Sequence, residues 1–467
     1  MLKQLLRTKP VVHDLVSDQL RSLHRCLKAS DLVLLGIGAI IGAGLFVLTG
    51  IAAATQAGPG ITLSYIVAGV VCAFTALCYA ELAASVGGAG SAYGYAYAGL
   101  GEFLAWFIGW NLILEYGLSA ATIAVGWASY VNNVLESIGA PISRSLLTDP
   151  FSGGIINLPA MLIIAVLAIL LCMGTKQSAK FNAAIVFIKL LAIAIFVSIA
   201  VFHLQPHYWT PFLPFGFKGV MGGAAFILFS YIGFDAVSTA AEESVNPQRD
   251  LPIGIIVSLV VCTLLYALVA ACLTGIVSYT TLNVGSPVSQ ALLSLKLNFG
   301  AAIVAAGAIA GLTTTMLVMY YGLTRVFYAI SKDGLLPGFF SRVNSKTHTP
   351  IPVIICSGII IMLAAGLIPI DALAEIVNIG TLAAFVTVCI GVIILRIRQP
   401  KLARPFKVPF YPITPLLGGL FCFYLMVHLH AVTWWRFLAW TLLGTLIYFF
   451  YGLRHSRLAK ISQEQKS

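Results

Sequence analysis

The chain consists of long runs of apolar residues interrupted at intervals by short polar segments. Runs of about 20 apolar residues are long enough to cross the hydrocarbon core of a bilayer as helices, and the pattern predicts twelve of them. They lie near residues 32–55, 61–86, 102–133, 157–173, 182–203, 219–241, 252–277, 299–331, 350–367, 373–395, 408–427 and 433–453. The connecting segments are at most about 20 residues long, too short for a separate soluble domain. The pattern therefore predicts an all-α integral membrane protein.

The composition agrees with this prediction. The chain is 60% hydrophobic and only 9% charged, whereas soluble domains carry about 25% charged residues. So little polar surface could not cover a folded protein of 467 residues in water. We therefore expect the lipid bilayer to surround most of the molecule.

The basic residues are distributed unevenly between the two predicted sides of the membrane. If the N-terminus is cytoplasmic, 21 of the 27 Lys and Arg residues lie in cytoplasmic segments and only four lie outside. Such a bias is typical of helical membrane proteins and orients the spans. It predicts cytoplasmic termini in the inner (cytoplasmic) membrane, and it accounts for the net charge of +11 without a nucleic-acid partner.

Two of the predicted spans have sequences that disfavour a continuous helix. The first contains glycines at 36, 38, 42 and 44, and the sixth reads FSYIGFD at 229–235. Glycine destabilises a helix by about 1 kcal/mol relative to alanine. One interpretation is close packing of helices through small residues, for which Gly38 and Gly42 have the right spacing. The other is a break in each helix.

The positions of these two spans favour the second interpretation. If spans 1–5 and 6–10 are repeats, the glycine-rich spans are the first member of each half. Interrupted helices at corresponding positions of two halves indicate a transporter site. Freed N–H groups suit a carboxylate and freed carbonyl groups suit an ammonium group, so a site that offers both suits an amino acid.

Several longer motifs continue this pattern along the chain. They are GIGAIIGAGLF at 36–46, CYAEL at 78–82, FSYIGFDAVSTAAEE at 229–243, NPQRDLPIGI at 246–255, TRVFYAISKDGLLP at 324–337 and NIGTLAAF at 378–385. In these motifs the sequence resembles the amino acid–polyamine–organocation superfamily, specifically the bacterial type of its cationic amino acid transporter branch. The resemblance implies a five-plus-five inverted repeat with two extra C-terminal helices, alternating access and amino acid substrates.

The resemblance also implies boundaries for the parts of the chain. The first repeat would cover 32–203, the second 219–395, and the two extra spans 408–453. Cytoplasmic tails would occupy 1–31 and 454–467.

The same resemblance implies which residues bind the substrate. The backbone of Ile41, Gly42, Ala43 and Gly44 would hold its carboxylate, with Ala43 at a position where relatives often have Ser or Thr. The carbonyl groups of Ile40, Phe229, Ser230 and Ile232 would hold its ammonium group, and the Phe229 ring would act as a gate. Met319 in span 8 would line the side-chain pocket.

Three ionisable residues stand out within the predicted spans, where charge is costly and usually functional, whereas Glu81, Glu102 and Arg325 lie close to span ends. In sodium-coupled relatives a cation occupies a pocket between spans 1, 5 and 8, and in proton-coupled ones a span-5 lysine replaces it. Lys189 resembles that lysine, although it lies near enough to the span end to snorkel. We therefore expect proton coupling. Glu115 and Asp235 would either pair with Lys189 or face the substrate.

Other functions are less consistent with the sequence. We expect no enzymatic activity, cofactor or metal, because the spans contain no nucleophile–base set and no ligand spacing that suits a metal. An amino acid exchanger without net proton coupling, or a membrane sensor, would have the same site. Met319 favours a small neutral substrate and the branch a cationic one, and a monomer is compatible with the two halves in one chain.

Overall fold

The computed structural model describes residues 7–8, 27–86, 91–137, 139–140, 142–173, 179–239, 244–344, 347 and 349–459. Within these ranges the protein is helical, and the only β-type pairing is an isolated bridge between Leu27 and Ser244. The helices of eight or more residues are α1 (Ala29–Ile40), α2 (Ile61–Val86), α3 (Ser91–Gly99), α4 (Glu102–Ser137), α5 (Leu158–Cys172), α6 (Ala179–Val201), α7 (Gly216–Ile227), α8 (Pro247–Ile276), α9 (Pro287–Ser294), α10 (Asn298–Lys332), α11 (Ile351–Leu367), α12 (Ile370–Arg398), α13 (Ile413–Val427) and α14 (Ala431–Ile447).

Each predicted span overlaps one of these helices. By length and composition, seven helical segments of the described residues could cross a bilayer. Four further apolar helices, α1, α5, α11 and α13, are shorter. The sequence did not predict α3 or α9, which lie in segments taken for simple connections, because both are too short or too polar to stand out as apolar runs.

The helices form a bundle around α4 and α10, which pack against each other. Against this pair lie α12 and α6, while α8 packs on both α1 and α2. The most apolar window of α4 is 89% buried, whereas that of the C-terminal segment Ala431–His455 is 22% buried. Large apolar side chains such as Phe187 and Leu442 are more than 60% exposed on the outside of the bundle. Such exposed apolar surface is expected where the solvent is lipid.

Candidate functional site

The first predicted span is broken near its middle. After α1, Ile41 has an extended backbone (φ −73°, ψ 101°), and helical structure resumes as a π-helix at Gly44–Leu48. The sixth span is broken in the same manner, because α7 gives way to a 3₁₀ turn at Leu228–Tyr231 before an α-helix at Ala236–Thr239. A broken helix leaves N–H and carbonyl groups without intrahelical partners. Both breaks lie where the glycine-rich sequences predict them.

The two breaks are in direct contact with each other. A Cβ atom on Gly44 would lie only 2.3 Å from the Cα atom of Ser230, so no side chain fits at this crossing. Gly233 has a φ of 116°, which strains any residue other than glycine, and it lies against the backbone of Ala39. Both interpretations of the glycines are therefore correct, since the helices are broken and their backbones also pack closely.

The end of the first break presents a set of free donors. Among the described residues, the N–H groups of Gly42, Ala43 and Gly44 meet no hydrogen-bond acceptor. These groups lie at the start of the π-helix, where the helix dipole also favours negative charge. Ile41 differs from expectation, because its N–H still donates to the carbonyl of Ile37 in the last turn of α1. Its N–H is therefore already used, and three residues rather than four remain to bind a carboxylate.

The carbonyl groups expected to bind an ammonium group are partly occupied by a tyrosine of α8. The hydroxyl of Tyr266 lies 2.8 Å from the carbonyl oxygens of both Ile40 and Ser230, and so joins the two broken helices. The carbonyl of Phe229 accepts from the N–H of Ile232 at 3.2 Å. Each carbonyl oxygen has a second lone pair and could accept another bond.

A small cavity lies between the two breaks. It has room for about one water molecule, and α4 and α10 complete its walls. Its lining is neutral and mostly apolar, and consists of Ala39, Ile40, Gly42, Ala43, Gly44, Ser119, Ile123, Phe229, Ile232, Thr315 and Met319. Of the substrate-binding residues predicted from the sequence, all except Ile41 and Ser230 line this cavity. Phe229 and Met319 are both buried.

Lys189 of α6 is fully buried beside the first break. Its ammonium nitrogen donates to the carbonyl oxygens of Gly38 (2.8 Å) and Ile41 (3.0 Å) and to the hydroxyl of Thr315 (2.8 Å). The break frees these two carbonyls, and the C-terminal end of a helix attracts positive charge. Gly311 leaves room for the lysine stem, because a Cβ there would lie 2.9 Å from the lysine Cγ. Lys189 thus joins α1, α6 and α10.

Glu115 and Asp235 are not placed as the sequence predicts. They lie close enough to each other to interact electrostatically, but neither lines the cavity, and neither pairs with Lys189 in the described part of the chain. The three donors of the lysine ammonium are already matched by three oxygen atoms. Asp235 instead accepts from the hydroxyl of Tyr116 at 2.6 Å and from the N–H of Gly233 at 3.2 Å.

Three polar residues of the site were missed from the sequence. Thr315 precedes Met319 by four residues and therefore shares its helix face, a spacing that could have revealed it. Ser119 stands in the same relation to Glu115. Tyr266 had no comparable signal, because it is one of 18 tyrosines and its two carbonyl partners belong to distant segments.

Comparisons with known proteins identify the family. The amino acid permease family matches residues 27–448. The branched-chain amino acid permease BcaP of Bacillus subtilis is 48% identical over 94% of this chain and 95% of its own length. The methylthioribose transporter of the same organism is 44% identical over 98% of this chain and its whole length. The vacuolar cationic amino acid transporter 4 of Arabidopsis thaliana is 36% identical over 85% of this chain and 68% of its own length. The resemblance inferred from the motifs is confirmed, as is the expectation of a transporter rather than an enzyme.

Proposed function

Because this chain belongs to the amino acid permease family, we propose that it is a secondary active transporter that binds one amino acid between its two broken helices. The observation that carries the proposal is the set of three free N–H groups at Gly42, Ala43 and Gly44. These groups and the carbonyl groups of the second break lie around the same cavity. A carboxylate on the N–H groups and an ammonium group on the carbonyls would satisfy both breaks at once.

The proposed architecture has twelve membrane spans. Residues 32–203 and 219–395 would form two inverted repeats of five spans, and 408–453 would add two more. Helices at all twelve predicted positions support this arrangement. The concentration of basic residues in alternate loops supports cytoplasmic termini in the inner membrane. The small buried cavity is consistent with one intermediate of an alternating-access cycle.

The lining of this cavity is chemically suited to a neutral amino acid with an apolar side chain, once the site opens to admit it. No charged side chain lines it among the described residues, and Met319, Ile123 and Phe229 form its apolar walls. A cationic side chain would lack a carboxylate partner there, and an unpaired buried charge is costly. The relative named for branched-chain amino acids supports this class more than the relatives named for cationic ones.

Methylthioribose is the second candidate substrate. The relative named for it matches 98% of this chain at 44% identity, and an apolar pocket that contains a methionine suits a thioether group. A sugar has neither a carboxylate nor an ammonium group, however, and would leave the free N–H groups of the first break without a charged partner.

We further propose that transport is coupled to protons. The Lys189 ammonium group would occupy the place between spans 1, 5 and 8 that a sodium ion takes in related transporters. Its loss of a proton would remove a donor from the carbonyls of Gly38 and Ile41 and so loosen the first break. Glu115 and Asp235 would serve as separate proton-holding groups, since an ionised carboxyl group is costly to bury within a membrane span.

Uptake into proteoliposomes tests these proposals. One labelled branched-chain amino acid would be taken up with and without an inward proton gradient, in competition with twenty amino acids and methylthioribose. We expect accumulation with the gradient and strongest competition from neutral apolar amino acids. Binding without accumulation would indicate a sensor, and gradient-independent counterflow alone would indicate an exchanger. Displacement by methylthioribose but by no amino acid would contradict the proposed substrate class.

A further inference from the structure

An unusual group of buried polar atoms lies where α4 packs against α12. On α4, side-chain oxygens of Asn111, Glu115 and Ser119 have no hydrogen-bond partner among the described residues. On α12 the same is true of the Asn378 carbonyl oxygen and the Thr381 hydroxyl. All five residues are at most 1% exposed. Polar atoms buried in folded proteins almost always bond to protein or to internal water.

These atoms follow one line along the two helices. The three residues of α4 are spaced four apart and therefore share a face. Across the interface, a Cβ atom on Gly380 would lie 3.7 Å from the free oxygen of Asn111. Thr381 faces Glu115, and its hydroxyl lies close enough to the Glu115 carboxyl group to interact with it.

Asn378 cannot rotate to satisfy its own oxygen. Its amide nitrogen donates to the carbonyl oxygens of Ala225 (3.1 Å) and Phe226 (2.6 Å) at the end of α7. The break of the sixth span frees those carbonyls, so they need this donor. The amide is thereby held in one orientation, and its free oxygen requires another partner.

The line has one end near the surface and one at the cavity. Glu375 lies one turn before Asn378, and its carboxylate is 2.5 Å from the Nδ1 atom of His430, whose side chain is 66% exposed. Its other oxygen accepts from the Thr433 hydroxyl. In the proposed topology, this end of α12 lies outside the cell. At the opposite end, Ser119 lines the cavity.

We propose that internal water fills the α4–α12 interface and carries protons between the His430–Glu375 pair and Glu115. The proposal rests on proton coupling and supplies its route from outside. A proton that leaves the outer pair breaks one N–H or O–H bond as one O–H bond forms on the next water, and the last transfer forms an O–H bond on Glu115. Asn378 and Thr381 bind the waters and do not themselves titrate.

Thr381→Val tests the path, because valine keeps the shape and removes the hydroxyl. We expect gradient-driven uptake to fall about fivefold or more, the effect of losing one buried hydrogen bond in the path. Substrate counterflow at equal pH should be unchanged, and Thr381→Ser should restore gradient-driven uptake. Thr387→Val is the matched control, since that hydroxyl bonds only to the carbonyl of Ala383 within its own helix.

Hydration itself is measured by radiolytic hydroxyl-radical footprinting with mass spectrometry, which labels side chains next to internal water. We expect labelling within residues 375–385 of the wild type and less in Thr381→Val. Unlabelled wild type, or a Thr381→Val protein that still follows the gradient fully, would overturn the path and leave proton coupling intact. A wild type that ignores the gradient would instead overturn the coupling, and the proton-carrying role with it.

Discussion

The ammonium nitrogen of Lys189 lies 3.0 Å from the carbonyl oxygen of Ile41, the residue at which the first broken helix stops. In a continuous helix, a backbone N–H group of the next turn would donate to the Ile41 carbonyl. Here the ammonium group of Lys189, on another helix, donates to it instead. This contact links the ammonium group directly to the backbone of the first break, where we propose that the substrate binds.

Replacement of Lys189 by alanine should uncouple the protein. Without the ammonium group, the carbonyl oxygens of Gly38 and Ile41 lose their charged donor and keep only the Thr315 hydroxyl, at 3.3 and 3.1 Å. We expect uptake that no longer responds to an imposed pH gradient. Lys218→Ala is a suitable control because Lys218 is exposed in the first turn of α7. A Lys189→Ala protein that still followed the gradient would exclude this lysine from coupling.

Gly44→Ala should abolish transport. The added methyl group would lie 2.3 Å from the backbone of Ser230, so the two breaks would have to separate. Gly94→Ala provides a matched control, since a Cβ at Gly94 meets nothing within 4 Å. Substrate binding measured by thermal stabilisation should be lost in the first variant and kept in the second. Equal binding by both would show that the crossing tolerates a side chain.

Tyr266→Phe should weaken substrate binding about fivefold or more, because the bridge between the carbonyls of Ile40 and Ser230 is lost while the ring remains. The dissociation constant of the purified protein is the measurement. Tyr320→Phe serves as the control, since its hydroxyl donates to the carbonyl of Ile354 on α11 and does not line the cavity. Similar losses in both variants would indicate a general loss of stability.

Met319→Ala should enlarge the cavity and change which amino acids compete for uptake. Amino acids with larger apolar side chains should gain affinity relative to smaller ones. Met316→Ala removes an equally buried methionine three residues earlier that does not line the cavity, so its competition profile should match the wild type. An unchanged profile in Met319→Ala would place the substrate side chain elsewhere.

Glu81→Gln should destabilise the fold without altering the site. The buried carboxylate of Glu81 accepts two hydrogen bonds from Arg396, at 2.8 and 2.5 Å, and one from the N–H of Val408 at 2.7 Å. Removing one partner of a buried ion pair costs about 3–5 kcal/mol. We expect a lower Tm in detergent, whereas Arg398→Ala, which changes an exposed residue nearby, should leave the Tm unchanged.

Much of the candidate site could be predicted from the sequence because it consists of backbone. Glycines at 42, 44 and 233 indicated where the helices break, and the family motifs indicated that these breaks bind the substrate. Phe229 and Met319 followed from their positions and do line the cavity. Glu115 and Asp235 were correctly identified as buried, but their partners were not, since burial of a charge says nothing about which neighbour compensates it.

The sequence alone determined the all-helical membrane architecture, the family and the positions of the two broken helices. Those features depend on local properties of the chain, namely the length of apolar runs, the charge of the loops and the glycine content, and each of these is set by residues close together in the sequence. Only the tertiary structure decided that Lys189 binds carbonyls rather than a carboxylate, that Tyr266 joins the two breaks, and that unpartnered polar atoms line the α4–α12 interface. These contacts join residues as many as 269 positions apart, from Asn111 to Gly380, and the packing of the helices decides which residues meet.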